Sequence, residues 1–224
     1  MTAASMSNCP NHHPSEALLM DYASGSLGEA WNLGIATHLA LCPLCRESVR
    51  AIEAIGGGFL DDSAPVSVSD GLLDAVMARL ETSEPLTTTA IPATRDDGVL
   101  PGMLRRYLGG DIDTLPWKRL GLGAYHCVVP TKDDGTTARL LWIPAGRPVP
   151  EHTHRGLEMT IVLRGAFSDQ SGAYARGDFE EADEQTCHQP HALPGEDCIC
   201  LAVTDAPLRF TSFAARMVQP LLGI

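Results

Sequence analysis

The sequence predicts an α+β fold in two domains, a small four-helix domain followed by an antiparallel β barrel or sandwich. Three observations lead there. Apolar residues recur at helical spacing through residues 14–81 and at alternate positions after residue 101, and a Thr- and Pro-rich stretch separates the two patterns. With 224 residues the chain has room for one large domain or two small ones. The boundaries are drawn at 1–84 for the helical domain, 85–100 for the linker and 101–224 for the β domain.

Taken in order, Ser15 caps a short helix carrying Leu18, Leu19 and Tyr22 that stops near Gly25. Ser26 and Glu29 form an S-x-x-E capping box ahead of a longer helix with Ala30, Leu33, Ala36 and Leu41 on one face and His38 beside it. Pro43 opens a third helix through Val49, Ile52 and Ile55, with a stop expected at Gly56-Gly57-Gly58. Asp70 caps a fourth, with a stripe of Leu72, Leu73, Val76, Met77 and Leu80. Candidate strands are Ala124–Val129, Arg139–Ile143, Met159–Leu163, Ala173–Arg176, Cys198–Val203 and Leu208–Thr211, separated by turn signals such as Asp133-Asp134-Gly135 and Pro194-Gly195. Residues 213–222 fit neither period, and no internal repeat is present.

Charge narrows the function. The chain carries 16 basic and 28 acidic residues, a net charge of −12. That balance argues against direct nucleic-acid binding, which needs clustered Lys and Arg. Residues 1–81 hold 3 basic and 10 acidic side chains, net −7, so more than half of the charge sits on the helical third. No apolar run is long enough to span a bilayer and no signal-peptide pattern opens the chain, so a cytoplasmic protein without a membrane partner is expected. In that reducing compartment the seven cysteines call for a metal or redox role before a disulfide one.

Two constellations carry chemistry. The first is His38-x3-Cys42-x2-Cys45. On a helix, residues i and i+4 share a face, and the turn at Pro43 returns Cys45 toward the same point. Three nitrogen and sulfur donors leave one vertex of a tetrahedral structural zinc site, for which His12 and His13 are both available. A histidine, a short helix and H-x3-C-x2-C resemble the zinc-binding anti-sigma domain of bacterial ChrR-type regulators over roughly residues 10–82. The resemblance implies zinc held by His13, His38, Cys42 and Cys45, with His12 as the alternative to His13. It also implies four helices that clamp an extracytoplasmic-function sigma factor and keep it from RNA polymerase.

The second constellation is Gly146-x5-His152-x-His154-x3-Glu158-x6-Gly165. Residues 152, 154 and 158 have one parity, so on a strand they face one side and form a divalent-metal site with open positions. This matches the first cupin motif. The second motif places a histidine eleven residues after a glycine, which selects His188 after Gly177 over His191, although Asp183, Gln185 and Ala192 depart from its pattern. The resemblance implies an antiparallel cupin (jelly-roll) barrel holding a divalent metal, read as zinc, on His152, His154, Glu158 and His188.

The order of the two motifs is similar to the ChrR-type anti-sigma factor over almost the whole chain. In that family the cupin half is required to respond to singlet oxygen or related oxidants. Cys187 abuts His188, and Cys198 and Cys200 share a strand face, so all three are candidates for redox sensing. Spacing of i,i+2 on one strand suits a disulfide poorly. Cys9 and Cys127 are read as structural, and His126 as a half-buried strand residue. The leading expectation is a sigma-binding protein with no catalytic residue. The alternative is a cupin metal-dependent dioxygenase with a helical extension, since the same four ligands would serve iron or manganese.

Overall fold

A computed structural model describes residues 9–82, 98–121 and 123–211. Four helices come first: α1 (Glu16–Ser24), α2 (Glu29–Leu41), α3 (Pro43–Asp61) and α4 (Leu72–Thr82). Ser15 accepts a hydrogen bond from the Leu18 amide and Gly25, at φ +72°, ends α1. Pro43 occupies the first turn of α3, where its missing N–H costs nothing.

Two helix expectations are corrected. Ser26 bonds back to the Asp21 carbonyl, so it does not cap α2; Gly28 is the cap residue. The exposed helix amides are met from far along the chain, where Asp133 accepts from Glu29 N at 2.9 Å and Ala30 N at 2.6 Å. Glu29 instead accepts from the Lys132 amide and the Tyr107 hydroxyl. Replacing Asp133 with alanine should therefore cost about 1–2 kcal/mol, read as a lower urea midpoint at unchanged slope. The second correction is α3, which continues through Gly56-Gly57-Gly58 to Asp61. Glycine lowers helix stability by about 1 kcal/mol each without blocking the hydrogen-bond ladder, so it weakens this end without stopping it.

The β part opens with α5 (Gly102–Leu108) and continues through β1 (Lys118–Gly121), β2 (Ala124–Val129), β3 (Thr137–Ile143), β4 (His152–Thr153), β5 (Glu158–Arg164) and β6 (Ala166–Ser168). Then come β7 (Ala173–Ala175), β8 (Phe179–Ala182), β9 (Cys187–His188), β10 (His191–Ala192), β11 (Cys198–Thr204) and β12 (Arg209–Phe210). All pairings are antiparallel. They form a six-stranded sheet, β1-β2-β3-β11-β5-β8, and two three-stranded sheets, β10-β6-β7 and β12-β4-β9, rather than one closed cylinder. Gly165, at φ +66°, makes the corner after β5, where an added Cβ would lie 2.5 Å from the Asp197 carbonyl oxygen.

Alternation on the large sheet divides two environments. Ala138, Leu140, Met159, Ile161, Phe179, Leu201 and Val203 join the helices in one apolar core with Leu19, Ile35, Leu39 and Val49. Arg139, Leu141, Glu158, Thr160, Glu180, Cys198 and Cys200 face the opposite side and line a cavity. Both faces of β5 are thus covered, which explains its nearly continuous burial. Helix α2 is buried on almost every side, and Gly34 lets it lie directly on the sheet, because a Cβ there would collide with the Met159 side chain. By contrast α4 has no buried residue, so among the described residues α1, α2, α3 and the short α5, through Leu104, pack as helices around this core.

Candidate metal centres

The first centre lies where α2 turns into α3. His38 is on the last turn of α2, Cys42 joins the helices, and Cys45 follows on the first turn of α3. The strap ahead of α1 brings in His13. One donor atom from each lies within 4.8 Å of all the others. His38 Nε2 is 3.3 Å from Cys45 Sγ, while His13 Nδ1 is 3.5 Å from Cys42 Sγ and 3.4 Å from Cys45 Sγ. Tetrahedral zinc with ordinary Zn–N and Zn–S bonds has ligand edges of about 3.4–3.8 Å, so the donor spacing fits that ion closely.

Protonation agrees with the geometry. His38 Nδ1 donates to the Gly177 carbonyl at 2.8 Å, which leaves a lone pair on Nε2 facing the cluster. Burial holds the His38 imidazole neutral, with its pKa down to about 4. Burial and the neighbouring Cys42 push the Cys45 thiol up to about 12, so a thiolate there needs a cation beside it. His12 turns away, its ring 4.5 Å from that of Tyr174 and its Nδ1 3.5 Å from Asp178, so His13 is the one that enters the cluster. Cys9, read from the sequence as structural, lies 4.0 Å from Cys42 Sγ.

The second centre is inside the β part. His152 on β4 and His188 on β9 are register partners, and His154 follows β4. His188 Nε2 is 3.1 Å from His152 Nε2 and 3.2 Å from His154 Nε2. His152 Nδ1 donates to the Pro150 carbonyl at 2.9 Å, and His188 Nδ1 to the Asp169 carboxylate at 2.8 Å. Their Nε2 lone pairs therefore face each other at contact distance, a repulsive arrangement until a cation or proton sits between them. Those separations also match the edges of a three-imidazole metal site.

Glu158 takes a different place from its three partners. It does not converge with the imidazole nitrogens, but stands 3.7 Å from His154 Nδ1, accepts from Thr160 at 3.2 Å and lines the cavity. Burial, with Glu180 nearby, raises its pKa to about 7. The cavity holds about 300 Å³. Cys198 and Cys200 line it with their sulfurs 3.4 Å apart, whereas Cys187 is exposed on β9. His191 is exposed and its Nδ1 donates to the Gln189 carbonyl. His126 is buried on β2 with Arg139 Nη1 3.3 Å from its Nδ1.

Residues 106–207 match the ChrR cupin-like domain. Across 213 residues the chain is 47% identical to the anti-sigma-E factor ChrR of Cereibacter sphaeroides, covering 95% of this chain and 98% of that protein. The chain belongs to the ChrR family. It also resembles, at TM-score 0.76 and 44% identity, a chain in the crystal structure of Rhodobacter sphaeroides SigE in complex with the anti-sigma ChrR, over 87% of this chain and 98% of that one. No helix among the described residues is long and apolar enough to cross a membrane.

Two residues that sequence reasoning missed complete the second centre of this ChrR-family chain. Asp169 and Glu180 both face His188 Nδ1, at 2.8 and 3.4 Å. Burial opposes a charge on His188, but these carboxylates outweigh it and raise its pKa to about 8. Asp169 follows β6 and Glu180 lies on β8, and neither sits at a motif spacing from the histidines. Asp169→Ala should lower metal affinity at this centre about 10- to 100-fold, measured by competition with a chromophoric chelator, while leaving the His/Cys cluster loaded.

Proposed function

We propose that this chain is an anti-sigma factor that sequesters an extracytoplasmic-function sigma factor and thereby keeps it from RNA polymerase. The observation that carries this reading is an apolar surface with no cover among the described residues. Ile55, Phe59 and Leu60 on α3, the helix that carries Cys45, and Leu73, Val76, Met77 and Leu80 on α4, the next helix in sequence, are all exposed at helical spacing. Apolar stripes of this kind on two consecutive helices suit a protein partner that lies against them. The net charge of −7 on residues 1–81 suits the basic surfaces a sigma factor uses for DNA and polymerase, and would steer the encounter. The related ChrR was crystallised with SigE.

In this reading His13, His38, Cys42 and Cys45 hold a structural Zn²⁺ that joins the strap to the α2–α3 corner. With the apolar stripe of α4 added, this makes the four-helix clamp of residues 1–84. After a linker over 85–100, residues 101–224 form the sensing domain, a cupin of jelly-roll type. There His152, His154 and His188, with Glu158 beside them, hold a divalent metal, read as Zn²⁺. The metal supplies a Lewis-acidic charge that keeps the three imidazoles together. The surrounding residues exclude bulk water, and Asp169 and Glu180 orient His188. Cys198, Cys200 and the exposed Cys187 are the thiols open to oxidation, and singlet oxygen or a related oxidant is the signal. The role asks for binding and release in the cytoplasm rather than turnover.

Co-expression with an extracytoplasmic-function sigma factor tests the reading. The expected result is a stable complex that survives size exclusion, with one metal for each cluster by elemental analysis. A metal-loaded chain that leaves the sigma factor free to bind polymerase would overturn it.

A further inference from the structure

The two centres lie on opposite faces of one strand. On β8, Glu180 faces the cavity with Oε1 3.4 Å from His188 Nδ1. Its neighbour Phe179 faces the helices, edge-on to the His38 ring at 5.5 Å. Just upstream, the Gly177 carbonyl accepts the proton of His38 Nδ1. The buried Asp178 carboxylate accepts from the amides of Asn11 at 2.6 Å and His12 at 3.0 Å through Oδ1, and from Ala175 at 2.7 Å through Oδ2. The Phe179 amide returns a bond to the His12 carbonyl at 3.2 Å, and Glu181 accepts from the Ser15 amide at 2.6 Å. Pro10 sits against Gly177, where an added Cβ would come within 2.7 Å of its ring.

These contacts single out His13. The other three donors of the first centre come from one helical corner, α2 into α3. His13 comes from the strap of residues 10–15, whose backbone is tied to residues 177–181 on both sides of it. The distance between that ligand and the rest is therefore set by the β half.

We propose that Gly177 and Asp178 are positioning residues of the N-terminal metal centre, and that β8 passes the state of the three-histidine centre to it. The proposal rests on the metal reading of both clusters. Losing the ion among His152, His154 and His188 frees His188, and with it Glu180. The strand carrying Glu180 is the one that holds His38's tautomer and His13's strap. A packed strand between two filled faces has little room to absorb a shift on one side alone. Outer-shell partners of this kind change metal affinity about 10- to 100-fold when removed.

The test uses the full chain, with Co²⁺ exchanged into the His/Cys centre so that its visible absorption reports ligand geometry. Metal release to a chelator and hydrogen exchange of residues 9–15 are followed in parallel. Asp178→Ala should alter the cobalt spectrum and speed release by about 10-fold or more. His154→Ala, which empties the second centre, should speed release from the first by about 5-fold or more and raise exchange in residues 9–15. Glu180→Gln, which leaves every ligand in place, should act in the same direction. In the Asp178→Ala background, His154→Ala should add nothing. The coupling is overturned if His154→Ala empties the second centre with spectrum, release and exchange at the first unchanged, or if the two substitutions act independently. A wild-type chain carrying metal in only one cluster overturns the two-metal reading, and the proposal with it.

Discussion

Cys42→Ser is expected to strip the N-terminal centre of metal and unfold the α1–α3 corner. Cys42 is completely buried, is the junction of α2 and α3, and accepts the Cys45 amide on its sulfur at 3.4 Å. A serine oxygen is a poor zinc donor beside thiolate and imidazole, and the remaining three ligands would hold an incomplete sphere. Structural zinc in small domains contributes apparent free energies of about 10–16 kcal/mol, as large as the whole stability of an ordinary domain. The same core also carries Met159, Ile161 and Leu201 of the sheet, so the loss should be visible beyond the helices. Elemental analysis and thermal unfolding check this directly. A Cys42→Ser protein with full metal content and an unchanged melting curve would refute the ligand assignment.

The second large effect falls on binding. Phe59→Asp and Leu73→Asp, singly and together, should weaken sigma binding by about 2–4 kcal/mol per site, roughly 30- to 1,000-fold in Kd. Phe59 is 73% exposed and Leu73 72%, so neither contributes to the core, and stability should stay within about 0.5 kcal/mol. Metal content should not change. Isothermal titration against the sigma factor, beside melting curves of the free variants, separates lost binding from lost folding. Full affinity in the double variant would mean that the partner is held elsewhere.

Much of the local structure was legible in sequence, because its causes are local. Ser15, Gly25 and Pro43 act through backbone geometry and hydrogen bonds within one turn. The long strands β2, β3, β5 and β11 show in the apolar pattern because at least one face of each meets the core. Where prediction failed, a distant partner had taken over. Ser26 and Glu29 have the spacing of a capping box, yet Asp133 outcompetes them for the α2 amides. The two-residue strands β4, β9 and β10 have no period to detect, and Phe179-Glu180-Glu181-Ala182 looks like a loop in a sequence with two adjacent carboxylates.

Sequence alone determined which side chains could meet an ion, because ligand identity and short spacings such as H-x3-C-x2-C and H-x-H are properties of a few adjacent residues. It also determined the order of the two ligand sets. Only the tertiary structure chose His13 over His12, set Glu158 apart from the three convergent imidazoles, and recruited Asp169, Glu180, Gly177 and Asp178. Those choices depend on β8 lying between a helix and a cavity, where successive side chains point to opposite faces and a single strand serves both centres.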